Sequence, residues 1–524
     1  MPKSAGVLVA GTTSDAGKTF VATGLCRALT RRGIPVQPFK AVNMSLNSIP
    51  ADDGGEIAVA QWFQCLSARV PPRTLSNPVL LKSEGPGQVE VIVRGRSRYR
   101  LRSWREEMPK VLPDLRRTVA AAAHEAQREG KFIVAEGAGS PVEINLRRFD
   151  LSNFHTAGLL DLKVILVADL ERGGSMAQVV GTLELLTPPE RKRVVGIVLN
   201  RMRGDGRLLD SAARFLTRRT GIPVLGVIPY LEGLDFPAED SLSLPAARSA
   251  ARPPSPGGPR IGVLRYPHLS NFLDFPASWF DGATGVRWVE TAHEVAALDL
   301  LILPGSRRTV DDLAWIRERG IDRAIEEAIP QGLHLIGVCG GYMILGDRLI
   351  DPEGFEGPRG SSEGLGLLPI ATRFEDPKVS RRVRVRALPG LPTRMAAEEL
   401  EGYEIRRGRT HRAPGSEAAF QLMLEGVPPE EQLDGAISPD GQIWGTAVHG
   451  ILSQGAAWDA LLHWLHYRPE PGTTATPEGT KTAKFSVHEQ LEGTIERTAD
   501  CLEEHLDIDR LLTAVDPALR RSTR

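Results

Sequence analysis

The chain has 524 residues, 41% of them hydrophobic, which is enough to bury two or three cores and excludes a single small module. Sixty-four Lys and Arg nearly cancel sixty-five Asp and Glu, so no global positive field is available to hold nucleic acid and phosphate recognition has to be local. Four scattered cysteines, Cys26, Cys65, Cys339 and Cys501, exclude a disulfide framework or zinc knuckle, and without a run of eighteen apolar residues no membrane insertion is expected, so a cytoplasmic protein is the default.

From the N-terminus, short apolar runs alternate with turns and amphipathic stretches, the pattern of strands and helices on a parallel sheet. Buried strands are expected at Val7 to Ala10, Lys131 to Ala135, Val164 to Ala168, Val194 to Leu199 and Val224 to Ile228. Between the first strand and a helix beginning near Lys18 lies GTTSDAGKT, Gly11 to Thr19. A glycine-bearing loop of this kind points backbone N–H groups at phosphate, and the helix N-terminus adds its positive end. Gly11, Thr12, Asp15, Gly17, Lys18 and Thr19 are therefore read as nucleotide-binding. Lys18 reaches for the terminal phosphates, and Thr19 for Mg²⁺. Five residues separate Gly11 from Gly17, where the usual loop has four.

A bare carboxylate beside phosphate needs a cation or donor between them, which makes Asp15 a metal candidate with Thr19. Glu136, immediately beyond the strand KFIVA, is the other; the plain alternative is a solvated strand end. Lys40 closes another strand-like run and is followed by Asn43, Ser45 and Asn47. A cation among neutral donors suits a substrate carboxylate or an acyl phosphate, although polar loops after strands are common. Glu56 and Gln61 are expected on a following helix.

Residues 243–260 are rich in Pro, Gly and small residues and read as a linker between a first domain at 1–242 and a second at 261–467. The second domain repeats the α/β pattern, with strands at Ile261 to Leu264, Leu300 to Leu303 and His334 to Val338 and a late helix at Trp458 to Trp464. In LIGVCGGYMILG a strand runs into Cys339, and two glycines permit a tight elbow before a helix. That setting exposes sulfur and offers adjacent N–H groups to a thiolate and an oxyanion. Cys339 is read as a nucleophile and His449, in WGTAVHG, as its base; His411 is a minor rival. Gly305 and Gly340 are the expected oxyanion-hole donors. The tail at 468–524 carries a helical stretch around Glu489 to Leu512 and no recognisable chemistry.

The ordered set GTTSDAGKT, PFKAVNMSLNS, DGGEIAVAQ, NPVLLK, EGAGSPVEINL, ILVADLERGG, VLNRMRGD, LPGS, GVCGGYMILG, GYEIRRGRT and AVHG resembles the cobyric acid synthase family over about residues 5 to 455. The resemblance implies a P-loop NTPase-like parallel-sheet domain, similar to dethiobiotin synthetase, followed by an α/β domain similar to class I glutamine amidotransferases. It further implies ATP with Mg²⁺, L-glutamine as ammonia source, and a corrinoid substrate amidated at its b, d, e and g carboxylates through acyl phosphates. Many class I glutaminases carry a glutamate two residues beyond the histidine; here that position is Ile451, which leaves His449 without an identified orienting partner. The nearest rival is a cobyrinic acid a,c-diamide synthase. A rival of another class is a nucleotide-dependent partner-binding switch, against which Cys339 and His449 argue.

Overall fold

The computed structural model describes residues 5–85, 87–234, 236, 258–275, 277–280, 286–391, 399–428, 432–465 and 487–518. Residues 243–257 of the expected linker and 468–486 of the expected tail lie outside the described residues. Two compact units are present. The first comprises Met1–Ser45, Ala51–Pro237 and Leu491–Arg524, and the second Leu46–Pro50 and Ala238–Gln490.

The first unit is built on a six-stranded parallel sheet. Its spatial order is Val224–Pro229, Val194–Met202, Lys163–Asp169, Gly6–Gly11, Phe132–Glu136 and Val36–Phe39. Successive side chains of a strand leave opposite faces. Val7, Val9, Ile165, Val167 and Val198 accordingly enter one core, and Leu8, Ala10, Val164, Leu166, Ile197 and Leu199 enter another. Burial on both faces explains why these strands read as continuous apolar runs in the sequence. Chain order reverses around Gly6–Gly11: connections leave it first towards Val36–Phe39 and later towards Lys163–Asp169, which opens a crevice at the carboxyl end of the central strand. The glycine loop sits there. The helix Lys18–Arg31 that follows is started by Gly17 at φ 92 and packs Val21, Ala22, Leu25, Ala28 and Leu29 against the sheet.

The same face holds the C-terminal helices Val487–His505 and Ile508–Val515. Leu502, Leu506, Ile508, Leu511 and Leu512 join its core, all at most 4% exposed. Arg27, 1% exposed, donates through Nε to the Ser67 carbonyl at 2.8 Å and through Nη1 to Glu492 at 2.6 Å, and also pairs with Glu496. Arg31 reaches Asp500 and Glu503 at 2.7 and 2.8 Å. A Cβ at Gly24 would stand 2.3 Å from a Leu502 methyl, so any side chain there forces Leu502 to shift. The tail, expected to carry no chemistry, thus contributes core to the nucleotide-loop unit.

A second sheet of this unit, Val42–Met44, Val79–Gly85, Gln88–Val93 and Arg96–Leu101, has no counterpart in the sequence expectations. Its hairpin turns on Arg94 and Gly95, both at positive φ (48 and 77°), as a two-residue mirror-image turn requires. One expectation is corrected. Glu56 belongs to the short strand Glu56–Ala58, not to a helix, because Gly54 and Gly55 at φ 85 and 82° delay the helix to Val59–Ser67. Its carboxylate is buried against Lys82 Nζ at 2.5 Å. Gln61 is on the helix as expected.

The second unit has a sheet in the order Val286–Val289, Ile261–Leu264, Leu300–Leu303, His334–Val338, Ile443–Thr446 and Ala436–Ile437. It is parallel except for the last strand. A further sheet centres on Ile370–Ala387, an 18-residue strand that pairs antiparallel with Glu399–Arg412 as a long ribbon. The expected late helix spans Gly455–Trp464. Both units are α/β folds with parallel central sheets, as the sequence pattern implied.

Candidate active site

In the first unit, Glu136 ends the strand Phe132–Glu136, next to the central strand, and is 1% exposed. A carboxylate so buried has to be partnered, and three side chains from three elements do this. Lys40 Nζ stands 2.8 Å from Oε1, Thr19 Oγ1 donates to Oε1 at 3.0 Å, and Gln64 donates to Oε2. Lys40 follows the strand Val36–Phe39 directly, so sheet register alone carries its ammonium to the glycine loop. Lys18 Nζ donates back to the Thr13 carbonyl at 3.1 Å, which folds the side chain over its own loop. Gly17 is pinned from the other side by Asn200, whose Nδ2 donates to the Ala16 carbonyl at 3.0 Å and would lie 1.9 Å from any Cβ at Gly17.

The other expected residues are distributed around this cluster. Thr12 donates its N–H to Val167 at 2.9 Å and its hydroxyl to Gln178 at 3.2 Å. Asp15 is 65% exposed at φ 56 and faces Arg172 at 3.6 Å, so it is not gathered with Thr19 and Glu136. Asn43 donates to Gln61 Oε1 at 2.8 Å, and the Ser45 N–H donates to Leu81 at 3.1 Å. Asn47 belongs to the second unit, where its Oδ1 accepts the Asn271 N–H at 2.7 Å.

In the second unit, Cys339 lies between the strand His334–Val338 and the helix Gly340–Ile344 at φ 49, ψ −107. A residue with a side chain is strained there by about 1–3 kcal/mol, and such strain persists only where surroundings enforce it. They do so at several points. The Cys339 N–H donates to Thr446 at 2.8 Å, its carbonyl accepts from Met343 at 3.1 Å, and the Gly341 N–H donates to Pro304 at 2.9 Å. Glycine is needed at 340 and 341, because a Cβ would meet Ser306 N at 2.7 Å or the Leu303 carbonyl at 1.9 Å. Gly305 borders the histidine: a Cβ on it would stand 2.7 Å from His449 Cε1. The elbow, the loop after Leu300–Leu303 and His449 therefore meet in one place.

His449 is fully buried, and its ring stacks on Tyr403 with centroids 5.2 Å apart. Nδ1 is 2.7 Å from Asp274 Oδ2, whose other oxygen accepts the Gly450 N–H. Nε2 engages no described group other than the Cys339 thiol. Burial by itself would lower the imidazole's pKa, but the charges of Asp274 and Cys339 outweigh it and raise it to about 10. The elbow cysteine and the buried ring are thus in electrostatic reach of one another. His411, the minor rival, is exposed on the ribbon.

Two family signatures match the chain. Residues 7–244 match the CobQ/CobB/MinD/ParA nucleotide binding domain, and residues 260–457 the CobB/CobQ-like glutamine amidotransferase domain. The cobyric acid synthase of Sorangium cellulosum (strain So ce56) is 40% identical over 522 residues, covering 97% of this chain and 98% of its own. This chain belongs to the cobyric acid synthase family. Similar full-length matches are the cobyric acid synthases of Pelotomaculum thermopropionicum, 39% identical over 96% of this chain and 95% of its own, and of Moorella thermoacetica, 40% identical over 96% of each. The chain is accordingly an enzyme, a glutamine-hydrolysing carbon–nitrogen ligase of the ATP-dependent amidating type that this family comprises.

Family membership implies Mg²⁺ beside ATP, and the residues fit that requirement. Mg²⁺ takes oxygen ligands and is usually bound by one or two protein oxygens together with phosphate and water. The Thr19 hydroxyl and Glu136 carboxylate converge at 3.0 Å at the mouth of the phosphate loop. Among the described residues no helix is long and apolar enough to cross a membrane. Sequence reasoning missed Asp274 because it precedes His449 by 175 positions and lies in a short turn, Phe272–Asp274, outside any motif that was singled out. It also missed Gln64 and Asn200, whose partners only the folded sheet brings near.

Proposed function

We propose that the enzyme amidates the b, d, e and g carboxylates of adenosylcobyrinic acid a,c-diamide. Each carboxylate is activated by ATP as an acyl phosphate and receives ammonia from glutamine. The observation that carries the synthetase half is the gathering of Thr19, Lys40 and Gln64 on the buried Glu136 at the end of the phosphate loop. Residues 1–242 form the synthetase domain in this reading, 243–260 the linker and 261–467 the glutaminase domain.

At the glutaminase centre, the Cys339 thiolate attacks the carboxamide carbon of glutamine, and the oxyanion that forms is received by the N–H groups of Gly305 and Gly340. His449 gives its Nε2 proton to the departing ammonia, then takes one from the water that hydrolyses the thioester, releasing glutamate and restoring the thiol. At the synthetase centre, a substrate carboxylate oxygen attacks the γ-phosphorus and ADP leaves. Ammonia attacks the acyl carbon, and phosphate departs. The loop N–H groups of Gly11 and Gly17 and the Lys18 ammonium hold the nucleotide phosphates, while Thr12, its N–H donated to Val167, braces the loop. Asp15, more exposed, lies at the loop's outer edge. Lys40, with Asn43 and Ser45 as neutral donors, neutralises and orients the acyl phosphate. Mg²⁺, held by Thr19 and Glu136, supplies charge neutralisation on the phosphates when bound. Exclusion of water matters at both centres, since it competes for thioester and acyl phosphate alike.

An acyl phosphate transfers one carboxylate oxygen to the phosphate that leaves. With substrate carrying ¹⁸O in its free carboxylates, inorganic phosphate is expected to gain one ¹⁸O for each amide formed, read by mass spectrometry. Unlabelled phosphate with labelled substrate fully converted would rule out the acyl phosphate.

A further inference from the structure

We propose that Asp274 is the positioning residue of the glutaminase centre, holding the His449 ring by Nδ1 so that Nε2 faces the Cys339 thiol. This deepens the glutaminase reading above and rests on it. The expected carboxylate two residues beyond the histidine is absent, since Ile451 stands there with 1% of its surface exposed. A carboxylate supplied from 175 positions upstream fills the same spatial need.

Four features carry the assignment. The first is contact: Nδ1 and Oδ2 are 2.7 Å apart, with the two side chains 0% and 1% exposed, so the pair is fully desolvated and unscreened by salt. The second is division of labour within the carboxylate. Oδ1 is taken by the backbone N–H of Gly450, which fixes the carboxylate's rotation and leaves Oδ2 to the ring. The third is the ring's remaining freedom: Tyr403 stacks on its face, its two backbone hydrogen bonds run to Tyr403 at 2.8 and 3.0 Å, and Gly305 lies against Cε1. Rotation about the ring axis is blocked, so the nitrogen not bound by Asp274 is the only one that can serve the thiol. The fourth is that the ring's other side is coupled to the thiol: Cys339 acts on the imidazole through charge and a side-chain hydrogen bond, and no other described group engages Nε2.

The proton arithmetic closes within the chain. The thiol gives its proton to Nε2, Nδ1–H remains donated to Asp274, and the result is a thiolate–imidazolium pair beside the Asp274 carboxylate. The charged and titratable groups around this pair are Asp274 from its turn, Tyr403 from the ribbon, Tyr266 from the loop after Ile261–Leu264, and Cys339 itself; Glu404 and Arg406, 2.6 Å apart on the same ribbon, flank the thiol's surroundings. Asp274 opposes loss of the imidazolium proton, and that proton is the one ammonia needs on leaving.

The test is the pH profile of glutamine hydrolysis by full-length wild-type, D274N and D274A protein, with thermal melts to confirm folding. D274N is expected to lower kcat/KM for glutamine about 10³-fold, because an amide can hold the ring but not stabilise its charge. It should also move the alkaline limb at least about one pH unit lower, since the carboxylate that raises the ring's pKa is gone. A merely structural carboxylate would lower the plateau and leave the limb where it was, and that result overturns the proposal, as does activity within about threefold of wild type in a folded D274N protein. Failure of the underlying glutaminase reading looks different: wild-type protein would then hydrolyse no glutamine, or C339A would hydrolyse it as well as wild type.

Discussion

Replacement of Cys339 by Ala is expected to abolish glutamine hydrolysis, with a loss of about 10⁴-fold or more, while amidation fed by free ammonia persists. The size follows from what is removed. No other group at the elbow can form the thioester, and the remaining hydrogen-bond donors stabilise an oxyanion that no longer arises. The small alanine methyl occupies a site already 6% exposed and held at φ 49 by contacts to Thr446, Met343 and Pro304, so the elbow itself should survive. Ammonia enters after the damaged step, and steady-state assays with glutamine and with an ammonium salt separate the two chemistries. Loss of both activities in a folded C339A protein would contradict the assignment of separate centres.

Replacement of Lys18 by Ala should do the reverse, lowering amidation from either nitrogen source by about 10²–10³-fold and leaving the thiol chemistry in place. Lys18 is the one loop cation set at the start of the helix, and its ammonium now rests on the Thr13 carbonyl at 3.1 Å, within its own loop. Transferring phosphate concentrates negative charge where the helix N-terminus alone supplies only a partial positive charge. Because Lys18 is 7% exposed and packs its stem on Gly11, its removal also loosens the loop. ATP consumption and amide formation should therefore fall together. Amidation unchanged in K18A would move the nucleotide site elsewhere.

What could be read in the sequence was the part whose physics is local. Strands such as Val164 to Ala168 announce themselves because both faces are buried, and the glycine loop and the cysteine elbow because each needs particular residues at fixed spacing. The sheet from Val42 to Leu101 was not legible: Arg96–Leu101 carries three arginines and is exposed over its first three residues, so it reads as surface loop. The ribbon Ile370–Ala387 with Glu399–Arg412 hides in the same way behind its arginines. Glu56 misled because a favourable helical pattern follows it, whereas two glycines at positive φ set the boundary. Asp274 illustrates the remaining gap, for its role depends on a contact that no local pattern encodes. The C-terminal helices likewise gain meaning only from Arg27 and the core they complete.

Conversion of four corrinoid carboxylates to amides by one chain is the reaction proposed. Mass spectrometry of the corrinoid after incubation of the purified protein with adenosylcobyrinic acid a,c-diamide, ATP, Mg²⁺ and glutamine tests it most directly. Four successive carboxyl-to-amide mass steps, ending in adenosylcobyric acid, are the predicted result. Recovery of unchanged substrate, under conditions where ATP and glutamine bind, would contradict the account and redirect it to another acid.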